Sequence, residues 1–225
     1  MRHARTFLAP IALLLAAGPA AAQLQAGAGD AVSYRDAYRA MVVFEKYGGP
    51  KHLLQSQLQV LPQDRAALAD KLQLTLAGKT TQLQQPLDPL GRTALPLQKA
   101  AYDDNAALVL SRKGLPFTLR PQVSIAPRPD GIYDGAELRT ACGQALAFAR
   151  WVDASQRGRQ CAGVRFVLRG GGEGGAQLRR AGEQPENLPV SAGEEGLPVV
   201  SYRFGGAPGR VVVGSVPLAI LPVFE

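Results

Sequence analysis

Histidine, cysteine and unbroken apolar length are all scarce in this chain, and each shortage closes off a class of function. Two of the 225 residues are histidines, His3 and His52. His3 falls in what reads as a targeting segment, so the folded part has His52 alone. That excludes any site needing two histidines, the His-Glu-x-x-His zinc hydrolases among them. A Ser-His-Asp triad would have to use His52, and the sequence has no Gly-x-Ser-x-Gly elbow. Lying beside Lys51 at an expected strand start, His52 reads as a surface residue. The two cysteines, Cys142 and Cys161, do not form a Cys-x-x-Cys pair. The alternating Asp-x-Asp-x-Asp-Gly ligands of a calcium loop are missing. No cofactor or metal is expected. Beyond the N-terminal residues no segment is long and apolar enough to cross a bilayer, and no fixed-period repeat is present.

The N-terminus resembles an address label. Arg2 and Arg5 precede a short apolar run, Phe7 to Ala17, and then Ala20-Ala21-Ala22. This pattern predicts a signal peptide over 1–22, cut after Ala22, with 23–225 as a single exported domain, periplasmic or secreted. The alternative is an N-terminal anchor that is never cut. No cysteine follows the apolar run, so a lipid-attachment site is not expected. Outside the cytoplasm the economical assumption is a structural Cys142–Cys161 disulfide.

Around those cysteines lies the stretch that organises the chain, Asp134 to Arg169. Leu138, Ala141, Cys142, Ala145, Leu146, Ala149 and Val152 follow helical spacing, which predicts an amphipathic helix over 134–153. Glu137, Arg139, Gln144, Arg150 and Asp153 fall largely on the other side. Asp134 stands three residues before Glu137, as in a capping box, and Gly158 is placed to end the helical run. From Val164 the period becomes two. Val164, Phe166 and Leu168 alternate with Arg165, Val167 and Arg169, as in a strand with one buried face.

The remaining elements follow from the same rules. Residues 33–47 predict a second helix, with Ser33 as cap and Tyr34, Ala37, Tyr38, Met41 and Val42 on a core-facing stripe. The segment 53–126 reads as strands. Leu54, Ser56, Leu58 and Val60 alternate with Gln55, Gln57 and Gln59, and Leu72, Leu74 and Leu76 face inward before a hairpin at Gly78-Lys79. Lys99 to Asn105 reads as a polar bend. Pro116 and Pro121 argue for an edge or irregular strand over 117–125. The segment 161–225 is again strand-rich. It carries a glycine-rich hairpin tip at 170–175, an acidic loop over 181–196, and an apolar tail, SVPLAILPVFE, that should dock on the body of the domain.

One run, KLQLTLAGKTTQLQQPLDPLGRTALPL (71–97), resembles the strand–turn–strand lead of transthyretin-like and carboxypeptidase-regulatory-type β-sandwich modules. The likeness rests on an Asp-x-x-Gly-Arg turn, Asp88, Gly91 and Arg92, before a strand ending in Leu95-Pro96. It implies a β-sandwich and no catalytic residues. Together these readings give an α+β fold, mainly antiparallel β in a sheet or sandwich, with two flanking amphipathic helices and one disulfide.

Charge singles out a candidate ligand site. Residues 112–180 hold 12 basic and 5 acidic residues, whereas 181–225 hold 2 and 5. Arg165 and Arg169 share one strand face, and Arg180 could join them from the next strand as an anion-binding patch. Nucleic acid is not expected, since no aromatics interleave with the basic residues. The neighbouring carboxylates Asp103-Asp104 and Glu194-Glu195 are poorly placed for acid–base work, because adjacent residues of a strand point apart. The expected function is a non-catalytic periplasmic binding or structural domain at the cell envelope, contacting an anionic component or an unknown protein partner. Two alternatives are a carboxylate-dependent envelope hydrolase and an accessory subunit of an outer-membrane or secretion assembly.

Overall fold

Short alternating runs become strands and the two long amphipathic stretches become helices. A computed structural model describes residues 26–170, 175–193, 196–206 and 209–225. The expected signal peptide, the pair Glu194-Glu195 and most of the glycine run lie outside the described residues. In chain order the first elements are β1 (Ala26–Gly29), β2 (Ala31–Ser33), α1 (Tyr34–Lys46), β3 (Leu54–Pro62), β4 (Gln73–Ala77), β5 (Gln82–Pro86) and β6 (Arg92–Thr93). Next come α2 (Lys99–Asp103), β7 (Ala107–Leu110), β8 (Phe117–Ile125), β9 (Ile132–Asp134), α3 (Gly135–Val152) and β10 (Cys161–Val167). The last are β11 (Ala176–Arg179), β12 (Glu186–Leu188), β13 (Val190–Ala192), β14 (Pro198–Arg203), β15 (Arg210–Val213) and β16 (Ala219–Phe224).

These strands form three antiparallel sheets. The largest runs β13-β14-β10-β16-β8-β3-β6, with β1 also paired to β8; the others run β12-β11-β15-β9 and β2-β7-β4-β5. Both small sheets pack on the same face of the large one, giving a sandwich-like α+β architecture. In one half, Leu72, Leu74, Leu76 and Leu108 meet Leu58, Val60, Phe117 and Leu119, with Tyr34 and Met41 of α1. In the other, Leu178, Val211 and Val213 meet Val164, Phe166, Val200 and Ile220, with Leu138, Ala141 and Ala145 of α3. The alternation read from the sequence thus puts Leu58 and Val60 of β3, Leu74 and Leu76 of β4, and Val164 and Phe166 of β10 on the buried side.

The organising unit forms. The Cys142–Cys161 disulfide joins α3 to β10 with a Cα–Cα distance of 6.0 Å. In the loop-entropy account, whose mechanism is disputed, closing such a loop stabilises by roughly 3 kcal/mol. Asp134 caps α3 by accepting from the Ala136 N–H at 2.8 Å. Glu137 does not complete the capping box; its carboxylate pairs with Arg128 at 3.3 Å. The apolar tail becomes β16, inserted between β10 and β8 with Ile220 fully buried.

Several local expectations are corrected. Lys99 to Asp103 is a short helix, α2, because Ala101 plugs into the core while its polar neighbours stay wet. The acidic segment after Ala181 contains β12 and β13, whose pairing with β11 and β14 outweighs their polar composition. β8 is an interior strand despite Pro121. Away from β3 it pairs with β1 at Phe117 and Leu119 and with β16 at Ile125, so Pro121 falls in the gap where an N–H is not needed. Ser33 precedes α1 without capping it; its hydroxyl donates to Asn105 instead. On α3, Gln144 is buried where its carbonyl accepts from the Leu53 N–H, and Val152 is exposed at the helix end.

Candidate functional site

Away from the helices, the outer face of the large sheet is polar. Residues opposite one another in register project to the same side. This sets Gln55, Gln57 and Gln59 beside Ser124, Gln122 and Arg120, and places Arg165 between Ser201 and Leu221. A small apolar cluster of Leu90, Val167, Val199, Leu218 and Ala219 covers part of this face. Leu90 reaches it because the chain between β5 and β6 folds back as a tight turn.

One carboxylate builds that turn. Asp88 Oδ1 accepts from the backbone N–H groups of Leu90 (2.9 Å) and Arg92 (2.8 Å). Its Oδ2 takes Nε (3.0 Å) and Nη2 (2.6 Å) of Arg92. Gly91 has φ +73°, and a Cβ there would stand 2.5 Å from the Val60 carbonyl oxygen, so only glycine fits. The Arg92 side chain is 2% exposed, and its Nη2 also donates to the Leu218 carbonyl just before β16. The Asp-x-x-Gly-Arg turn noted in the sequence is therefore a buried latch between two distant parts of the chain.

The latch leaves two polar atoms unpartnered, Arg92 Nη1 and Gln57 Oε1. Both residues line one open concavity of about 630 Å³, together with Lys71, Asp88, Thr93 and Arg169. A buried donor without a partner costs about 1–3 kcal/mol. Lys71 and Arg169 have no ionic partner among the described residues. Lys71 also carries a left-handed backbone, φ 53°. Three cations thus face one carboxylate, and Arg92 already engages that carboxylate. The concavity suits an anion. The two unpartnered atoms are themselves shut off from solvent, so the charges open to such an anion are those of the exposed Lys71 and Arg169.

The three arginines singled out in the sequence go to different places. Arg169 lines the concavity. Arg165 projects from the same face of β10 into a smaller hollow of about 90 Å³ with Leu90, Val167, Leu197 and Leu221. Arg180 follows β11, and β11 belongs to a different sheet from β10. Its Nη1 is held by Glu186 (3.0 Å) and Glu183 (3.2 Å), and these hydrogen bonds push its pKa up. The structure does not bring Arg180 to the other two, because the chain leaves the large sheet after Arg169. Lys71, Arg92 and Gln57 were missed as site residues. The signal for Arg92 was in view, as part of the turn motif, but nothing in a single sequence marks an arginine as buried.

Other chemistry-bearing groups are already satisfied. The Tyr34 hydroxyl donates to the Pro96 carbonyl and accepts from the Gln98 N–H; burial pushes its pKa up. Asp103 pairs with Lys99, and Asp104 accepts from Thr80. His52 is exposed, its ring 3.3 Å from the Gln144 amide nitrogen. A groove of about 280 Å³ between α3 and residues 125–129 holds Arg128 and Glu137, which pair with each other, while Asp130 holds Arg128 from outside. The Arg128 guanidinium keeps the Asp130 carboxyl below the usual range, the opposite of what a general acid needs. Among the described residues, no cluster of three or more His, Cys, Asp or Glu could hold a metal ion, and no helix is long and apolar enough to cross a membrane. No protein-family model matches the chain, and neither a curated protein nor a solved structure does.

Proposed function

We propose that this protein is a non-catalytic binding domain of the cell envelope, periplasmic or secreted, that holds an anionic group in the concavity beside the Asp88–Arg92 latch. The observation that carries this reading is the concavity in which Lys71 and Arg169, both exposed and without an ionic partner among the described residues, stand beside the Asp88–Arg92 pair. A structural disulfide supports life in an oxidising compartment. The ligand class is an anion, such as a phosphate or a sugar acid within an envelope polymer.

Titration calorimetry with inorganic phosphate and with galacturonate tests the reading. Binding is expected at low salt and weakens as salt is added. Arg169→Glu should weaken it at least about tenfold, the equivalent of one charge-assisted hydrogen bond. Arg180→Glu, in the other sheet, should leave it unchanged. Equal affinity in the wild type and the Lys71→Glu/Arg169→Glu double variant would remove the site.

A further inference from the structure

The exposed end of α3 carries an aromatic group that the anion site does not use. Trp151 is 54% exposed and Val152 beside it 52%. Trp151 packs on Tyr47 (5.4 Å between ring centroids) and Phe148 (6.1 Å), and Phe148 packs in turn on Phe44 and Tyr47. The indole is thus held from behind by a ladder of rings from α1 and α3, with its outer surface left open. A core-directed tryptophan would bury more of that surface.

Basic residues are concentrated in the adjoining sequence. Lys46 and Lys51 bracket Tyr47, and Arg150, Arg157 and Arg159 bracket Trp151, against Glu45 and Asp153. Lys51 Nζ sits 5.0 Å from the Phe44 ring centroid, and Arg150 folds onto the carbonyls of Gln156 and Arg159. Asp153 is turned inward on its own 3₁₀ turn, accepting from Ser155 and Gln156. These hydrogen bonds keep its carboxylate ionised, and even with Glu45 it is outnumbered by the five basic residues, so the stretch is cationic as well as aromatic.

A held tryptophan with an exposed apolar neighbour and a cationic rim matches the interface of an anionic bilayer. The amphipathic indole sits at headgroup depth there, and lysine and arginine meet lipid phosphates. We infer that the Trp151 end of α3 is a membrane-surface docking site for anionic lipid. It lies on the helix-bearing side of the large sheet, so it stands or falls independently of the anion concavity on the outer face.

The chain has one tryptophan, so its fluorescence reports on this surface alone. Emission should move to shorter wavelength when the full exported protein meets vesicles containing phosphatidylglycerol, and not with phosphatidylcholine alone. Trp151→Ala should abolish co-sedimentation with the anionic vesicles while keeping the wild-type circular dichroism. Lys46→Glu should weaken binding by at least roughly fivefold, the loss of one basic contact near the surface. No emission shift with anionic vesicles would overturn the inference. So would unaltered sedimentation of Trp151→Ala, or a shift of equal size with phosphatidylcholine or with a soluble glycan. The galacturonate titration above reads the other face, so failure of either site leaves the other result standing.

Discussion

The two faces of the large sheet use the same strands for opposite ends. On the inner face Val164, Phe166, Val200 and Ile220 are fully buried under α3 and a second sheet. On the outer face the intervening residues are Arg165, Ser201, Gln57 and Gln122, and among the described residues the only charge taken out of water is the latched Arg92. Burial inside is nonspecific in chemistry and needs no partner beyond the fold. Burial outside leaves one guanidinium nitrogen and one amide oxygen without partners. A sheet stabilised from one side can carry such unmet polar groups on the other.

Neighbouring residues on β10 test that contrast most strongly. Phe166→Ala should cost about 3–5 kcal/mol in urea denaturation, through lost burial and the cavity left behind. Arg165→Ala, one residue away on the exposed side, should stay within about 0.5 kcal/mol. Similar losses for the two would mean that the outer face is packed against something and the comparison fails.

Much of the inner face is legible in the sequence. Period-two alternation in β3, β4 and β10 gives the buried side directly, and the two cysteines gave the α3–β10 staple. The errors fell where tertiary pairing overrides local composition. β12 and β13 are too short and polar to announce themselves, and they exist because β11 and β14 offer open edges. Placing Arg180 beside Arg165 requires successive strands to be neighbours, but the chain changes sheets between them. The site was legible only in Arg169. Gln57 read as a wet strand position and Arg92 as turn chemistry, because burial of a polar side chain is fixed by what folds over it, here the loop carrying Leu90.

Next in size is the latch itself. Asp88→Ala removes the counter-charge of a guanidinium that is 2% exposed, along with two backbone acceptor contacts. Because Asp88 is itself partly exposed, the expected loss is about 2–3 kcal/mol, toward the lower end for breaking a buried pair. Adding Arg92→Met should recover the part owed to the stranded cation but not the part owed to the turn contacts. If the double variant is no more stable than Asp88→Ala, Arg92 is not held out of water in the way the outer face requires.

The smallest effect belongs to a carboxylate away from both faces. The Arg128 guanidinium, and next the Ile132 N–H, hold the Asp130 carboxyl below its ordinary value of 3.8. A lowered folded-state value means that the ionised form is the stabilising one. Its contribution is complete above pH 3.8 and is lost as pH falls through the lower folded value. The stability gap between wild type and Asp130→Asn, read from melting temperatures, should therefore be constant from neutral pH down to about 5 and close only in acid. A gap that shrank between pH 8 and 5 would mean that the Arg128–Asp130 contact is not its source.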